Sequence, residues 1–303
     1  MIMTTNDKPL TGLRVLVTRA LGQSHEFKEL LAPLGAIVSE IPVIEIREPE
    51  DFTELDQALR NLQLYNWLIF ASKNAVEHTL ARVERLGIQL GASPHLRIAA
   101  IGPATAGELI KRGVGVHFCP SSFMAEFLVD EFPGYPDLAG TKVLWPKTNI
   151  GRTLISDKLR QAGATVDTAI AYITGLPADH QKLAKKLVDA LCAGEIDVIT
   201  LASAQSAYNL ADLLNKGLEN RTGVKPFDVE CKLLDSLPVG RQEKATEGIK
   251  KLLTSVKIAA IGPVTARTAR QVLGKTDVEA SQYTLAGLTE ALLASLKFEQ
   301  KEQ

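Results

Sequence analysis

A chain of 303 residues is longer than one hydrophobic core ordinarily serves, so two domains are expected. With 46% hydrophobic and 23% charged residues it has the make-up of a globular protein. A formal net charge of −1 excludes bulk attraction to a polyanion such as nucleic acid, although basic groups can still gather in one cleft. Cys119, Cys192 and Cys231 are odd in number and far apart, which argues against a disulfide framework or a C-x-x-C zinc site and suits a reducing compartment. The opening "MIMTTNDKPL" has no apolar signal core, and no apolar run is long enough to span a bilayer, so a soluble cytoplasmic protein is expected.

Taken in chain order, short apolar runs alternate with amphipathic stretches. "LRVLVT" reads as a strand and is followed by a helix from about Gln23 to Leu34. "AIVSEIPVIEI" reads as one longer strand, with a helix near Phe52 to Leu62. "NWLIFAS", "LRIAAIG" and "VGVHFCP" each lead into a helical stretch, the last into "MAEFLVDEF". "TKVLWPK", "ATVDTAIAYIT", "IDVITLAS", "VKIAAIG" and "KTDVEAS" repeat the order, each with its helix. Strands alternating with helices imply crossover connections and parallel sheets.

The two halves are copies of one five-unit block. "IAAIGPATA" (Ile98 to Ala106) returns as "IAAIGPVTA" (Ile258 to Ala266). Val15 matches Val143 and Gly35 matches Gly163 at a shared offset, and Ser72 matches Ser203 at nearly the same one. Gly102 matches Gly262, and Ser121 matches Ser281, at a larger offset. The difference places an insertion at Glu219 to Ser255, whose polar, turn-rich wording reads as a surface loop. Two copies of a large block are a duplicated domain, not a solenoid.

Ligands of parallel α/β sheets bind at the carboxyl ends of strands, where helix N-termini offer free N–H groups to anions. At those places this chain carries Ser72, Ser203, the turns Gly102-Pro103-x-Thr105 and Gly262-Pro263-x-Thr265, Ser121-Ser122, and Ser281 to Thr284. Each hydroxyl taken alone reads as a helix cap. Three matched pairs at strand ends read as anion binding, and the two roles are compatible. Arg19, Lys147 and Arg152 add basic charge at strand ends, which suits a polycarboxylate, although for Arg152 ordinary surface charge serves equally well. Tyr172 closes a strand and on residue type alone reads as half-buried packing. Neither G-x-G-x-x-G nor G-x-x-x-x-G-K-[ST] occurs, so a nucleotide-dependent oxidoreductase has no support. No nucleophile elbow occurs, and His25, His78, His95, His117 and His180 have no metal-ligand spacing. His25 and His78 lie in predicted helices and read as surface or packing residues.

The chain resembles the uroporphyrinogen-III synthase family in "VLVTRA", "WLIFASKNAV", "IAAIGPATA", "VLWPKTNIGRTLISDKLRQAGATVDTAIAYITG", "VITLAS", "IAAIGPVTA" and "YTLAGLTEAL", in that order from Leu13 to about Leu296. Ala71 before Ser72, where the family often has threonine, and the insertion are departures. The resemblance implies two similar parallel-sheet α/β domains joined by a two-stranded linker, with the active site in the cleft between them. It implies a discontinuous split: residues 1–40 with 174–303 as one domain, 44–168 as the other, and linker strands at 36–46 and 164–174. Periodicity by itself suggests a simple cut near Gly140. The implied reaction is cyclisation of hydroxymethylbilane with inversion of the last pyrrole ring and loss of water, giving uroporphyrinogen III. Tyr172 matches the tyrosine that assists departure of the hydroxyl. The substrate-binding set is Arg19, Ser72, Lys73, Asn74, Gly102, Thr105, Ser122, Lys147, Arg152, Ser203, Gly262, Thr265 and Thr284. No cofactor or metal is implied. A monomer is expected, with no nucleic-acid or membrane partner and room for a transient contact with the preceding pathway enzyme. The turns alone leave open a non-catalytic protein that binds a small carboxylate.

Overall fold

The computed structural model describes residues 8–121, 129–151, 153–222 and 247–299. The chain forms two compact units, Met1–Glu45 with Gly175–Gln303, and Ile46–Thr174. It begins with β1 (Arg14–Val17), α1 (His25–Leu31) and β2 (Ile37–Glu40). Then come β3 (Glu45–Arg47), α2 (Thr53–Arg60), β4 (Trp67–Phe70), α3 (Lys73–Arg85), β5 (Arg97–Ala100) and α4 (Pro103–Lys111). β6 (Lys142–Thr148), α5 (Leu154–Gln161) and β7 (Thr165–Gly175) complete the second unit. The first unit resumes with α6 (His180–Cys192), β8 (Val198–Leu201), α7 (Ala204–Thr222), β9 (Lys257–Ala260), α8 (Pro263–Leu273), β10 (Val278–Glu279) and α9 (Leu285–Glu299).

The first unit's sheet has the order β10-β9-β8-β1-β2, and every pair in it is parallel. This is a doubly wound sheet whose order reverses between β1 and β8. The second unit's sheet runs β3-β7-β6-β4-β5, with Phe118 bridging Ala99 of β5. Counted from β6, the series β7-β6-β4-β5-Phe118 has the same order, and its reversal lies between β6 and β4. The second unit is therefore the first unit's topology entered two strands later, with β3 added at the edge.

Both faces of each sheet are covered, which is why the central strands are apolar throughout. Side chains alternate between the faces. Leu16, Ile199, Leu201 and Ile258 meet Leu187, Leu210 and Leu214 of α6 and α7. Val15, Val17, Val198 and Ala259 meet Phe27 and Leu31 of α1 and Leu288 and Leu292 of α9. In the second unit Leu68, Phe70, Ile98 and Leu144 pack on α2, α3 and α4, while Ile69, Ala99, Val143 and Trp145 pack on α5 and Phe132.

Three expectations change. Ala36–Ile46 reads as one strand but holds two, β2 and β3, because Pro42 brings no N–H to a ladder. The intervening backbone is tied down by Ile41 N–H donating to the Val17 carbonyl and Val43 N–H to that of Thr18, each at 3.2 Å. The Asn209 amide donates to the Val43 carbonyl at 2.7 Å and so satisfies it. "VGVHFCP" contributes a single bridge instead of a full strand. The insertion is not wholly a surface loop: 223–246 lie outside the described residues, but Ile249 and Leu253 are buried in the core beside α7 and α8, next to Val256 just past its end.

Gly217 lies inside α7, where alanine ordinarily gains about 1 kcal/mol of helix propensity. Here a Cβ would meet the Ala184 carbonyl oxygen and Val188 Cγ2 of α6, both at 2.5 Å. The clash outweighs the propensity, since overpacking costs about 1–3 kcal/mol. Gly217→Ala is expected to lower the Tm in a thermal melt followed by circular dichroism; a raised Tm would show that α6 and α7 can separate freely.

Candidate functional site

In the second unit the site begins with an irregularity. β7 pairs β6 in register from Lys142↔Thr165 to Lys147↔Ile170, then slips by one residue so that Thr148 faces Tyr172. Strict alternation would put Tyr172 on the side of Ile170, which is exposed. The bulge instead turns it onto the side of Ala169 and Ala171, inside the core under α2, α3 and α4. Tyr172 is only 6% exposed. Its Oη lies 3.0 Å from Ser72 Oγ, at the end of β4. Ser72 has extended backbone and caps α3, accepting the Ala75 N–H at 3.1 Å. The imidazole of His78, nearly two turns further along α3, stacks on the Tyr172 ring with centroids 5.5 Å apart and planes inclined by 20°. Lys147 is half-buried with its ammonium over the Trp145 ring, 5.6 Å from the centroid. Beside it Asn149 Oδ1 accepts from the Thr174 N–H at 2.8 Å and from Thr148 Oγ1 at 3.0 Å, ordering the ends of β6 and β7.

The first unit's strand ends are built differently. Thr18 Oγ1 donates to the Thr200 carbonyl at 2.7 Å, and Thr200 Oγ1 to the Leu16 carbonyl at 3.1 Å, so two buried hydroxyls satisfy each other's strands at the reversal point. Arg19 follows at once and is half-buried. Its Nε is shielded from solvent without a hydrogen-bond partner, and burial draws its guanidinium below the ordinary arginine range. Ser203 caps α7 by accepting the Ser206 N–H at 3.1 Å, and Thr284 caps α9 by accepting the Gly287 N–H at 3.0 Å. The cap reading therefore holds for Ser72, Ser203 and Thr284 alike.

The twin phrases fold into β5–α4 and β9–α8, each with proline in the first helical turn. Their glycines do different work. Gly102 has φ +85°, a conformation other residues avoid. Gly262 is extended, and its need is space: a Cβ would come within 2.8 Å of the Tyr283 ring. Thr105 and Thr265 are each 4% exposed. Neighbouring turns are joined through Ile101 N–H to the Phe70 carbonyl and Ile261 N–H to the Leu201 carbonyl. Lys73 is exposed at the start of α3 and Asn74 is half-buried behind it. Ser122 and Arg152 lie outside the described residues. Among the described residues no group of His, Cys, Asp and Glu is placed to hold a metal ion, and no helix is long and apolar enough to cross a membrane.

The family model described as uroporphyrinogen-III synthase HemD matches residues 25–226. This chain belongs to the uroporphyrinogen-III synthase family. It is 32% identical over 289 residues to the uroporphyrinogen-III synthase of Synechococcus elongatus, covering 94% of this chain and 96% of that one. It is 29% identical over 280 residues to a putative uroporphyrinogen-III synthase of Methanothermobacter thermautotrophicus, covering 92% and 97%. Among solved structures, a mutant uroporphyrinogen III synthase of the extremely thermophilic bacterium Thermus thermophilus has the same fold, with a TM-score of 0.61 at 19% identity over 95% of this chain and 100% of that one.

Within this family member the residue that sequence reasoning passed over is His78. Its helical position signals nothing; only the bulge in β7 brings an aromatic partner to it. Burial lowers its pKa, against the smaller upward pull of Glu48 and Glu77, while Arg85 adds to the lowering. A histidine whose folded pKa is depressed contributes stability above its unfolded value, near 6.5, and that stability is lost as pH falls through the lower folded value. Urea midpoints measured at about pH 7.5 and 5.5, on either side of the unfolded value, should therefore fall further in the wild type than in His78→Phe. Equal falls would mean that another group controls the acid limb in this window.

Proposed function

We propose that this chain closes the linear tetrapyrrole hydroxymethylbilane to uroporphyrinogen III, and that Tyr172 assists loss of the substrate's hydroxyl. The contact that carries the reading is the buried Tyr172 phenol against Ser72 at the end of the second unit's sheet. In the reaction the hydroxymethyl C–O bond breaks and the oxygen leaves as water, having gained a proton. The azafulvenium-type cation left behind is attacked by the last pyrrole ring through a spiro intermediate, which inverts that ring, and a proton is then lost. Burial raises the Tyr172 pKa, while the Ser72 hydrogen bond opposes it more weakly. The phenol is therefore neutral at physiological pH and able to donate. When the Ser72 hydroxyl donates to Oη, the phenol proton is free to point at the departing oxygen. Such assistance is ordinarily worth about 10²–10⁴-fold in rate.

The remaining strand-end groups hold the carboxylates in this reading. Main-chain N–H groups of the Gly102 and Gly262 turns suit anions, with Ser72, Lys73, Asn74, Lys147, Ser203 and Thr284 adding side-chain donors and Thr105 and Thr265 supporting the turns from within. Arg19 has the strongest claim, because its unpaired Nε gains a partner only when an acceptor arrives. Holding the polycarboxylate folded lets inversion outrun simple closure, a proximity effect. A cytoplasmic monomer fits the exposed free thiols of Cys119 and Cys192.

Purified protein supplied with hydroxymethylbilane should give the type III isomer; the spontaneous type I product alone would refute the reading. Tyr172→Phe, which keeps the ring's packing, should lower kcat by about 10²-fold or more with an unchanged melt. Arg19→Met should raise KM by about tenfold with little change in kcat, the equivalent of one hydrogen bond to a charged group at about 1.5–3 kcal/mol. An unaltered KM would remove Arg19 from the binding set.

A further inference from the structure

We propose that His78 is a positioning residue for Tyr172, holding the phenol ring by offset, near-parallel stacking so that its hydroxyl meets Ser72 and the leaving oxygen. This rests on the role assigned above to Tyr172. The bulge at Lys147/Thr148 turns Tyr172 towards α3 but leaves its ring torsion to be set by neighbours. Two groups of α3 and its cap grip the side chain: Ser72 Oγ at 3.0 Å on the hydroxyl and the His78 imidazole on the ring face at 5.5 Å between centroids. The plane inclination of 20° is near-parallel stacking, not an edge contact. Aromatic pairs of this kind contribute beyond their buried area. Both grips belong to one helix, whose start is fixed by the Ser72 cap, so they move together.

The neutral imidazole matters to this arrangement as an apolar plate. A flat, uncharged ring holds the phenol without drawing its proton away, and half-burial keeps the imidazole neutral in the range where the phenol is also neutral. The charges that face His78 are Glu48, in the segment after β3, and Glu77 and Arg85 on its own helix. Glu48 is paired with Arg85, at 2.8 Å, and the upward pull of Glu48 and Glu77 on the imidazole is smaller than the lowering by burial.

The test compares wild type, His78→Ala and His78→Phe with hydroxymethylbilane, reading kcat, KM and isomer composition, with thermal melts alongside. Alanine is a better helix former than histidine, so α3 should persist in His78→Ala. The expected result is a kcat lowered by about three- to tenfold in His78→Ala with KM unchanged, and recovery to near wild type in His78→Phe. Wild-type kcat in His78→Ala would overturn the proposal. So would equal losses in both variants, which would assign the effect to an imidazole nitrogen, or a loss confined to KM. If the wild type itself yields no type III isomer, it is the assigned activity that fails, and the two failures are told apart in one experiment.

Discussion

A parallel strand buried on both faces has no place for a polar side chain along its length, and this constraint arranges everything else in the molecule. "WLIF" and "VITL" are buried at every position. Polarity is forced to the strand ends, where the backbone turns into a helix and its first N–H groups are free. The exceptions are satisfied in place: Thr18 and Thr200 exchange hydrogen bonds with each other's strands at the reversal point of the first sheet. Chemistry in this fold is therefore concentrated at the carboxyl ends, with the core left to hold them.

At those ends one side chain serves both as a helix cap and as the partner of a buried tyrosine. Ser72 accepts a helix N–H, a cap worth about 1 kcal/mol, and the same oxygen touches Tyr172. Tyr172 reaches it only because β7 gains one residue against β6. In a regular ladder its ring would share the exposed side of Ile170, and neither Ser72 nor His78 would have a phenol to hold. A single register shift thus converts an ordinary strand tyrosine into a buried phenol in contact with Ser72 and His78.

Duplication produced topological copies without producing copied sites. The two sheets share one strand order, but the second is entered at a different strand. The twin Gly-Pro turns use glycine for unlike reasons, backbone conformation at Gly102 and room for the half-exposed Tyr283 at Gly262. Arg19 and Lys147 occupy matching positions after β1 and in β6, yet one has an unpaired buried nitrogen and the other lies over an indole ring. The two units therefore carry different groups at matching strand ends.

The α/β class, the order of strands and helices and the strand-end turns were legible from periodicity and turn residues, because those depend on neighbours within a few positions. The repeat was legible for the same reason, as identical local wording performs the same local task. The split of Ala36–Ile46 into two strands was foreshadowed by Pro42 but concealed by the apolar run around it. The burial of Ile249, Leu253 and Val256 was hidden behind the polar wording that precedes them. Tyr172 was singled out only by resemblance, since residue type and periodicity assign it to packing. Its partners belong to tertiary structure alone: a bulge is a mismatch between two strands, and neither strand's sequence contains it. The Ser72 and His78 contacts, some hundred residues away in the chain, exist because β4, β6 and β7 lie side by side.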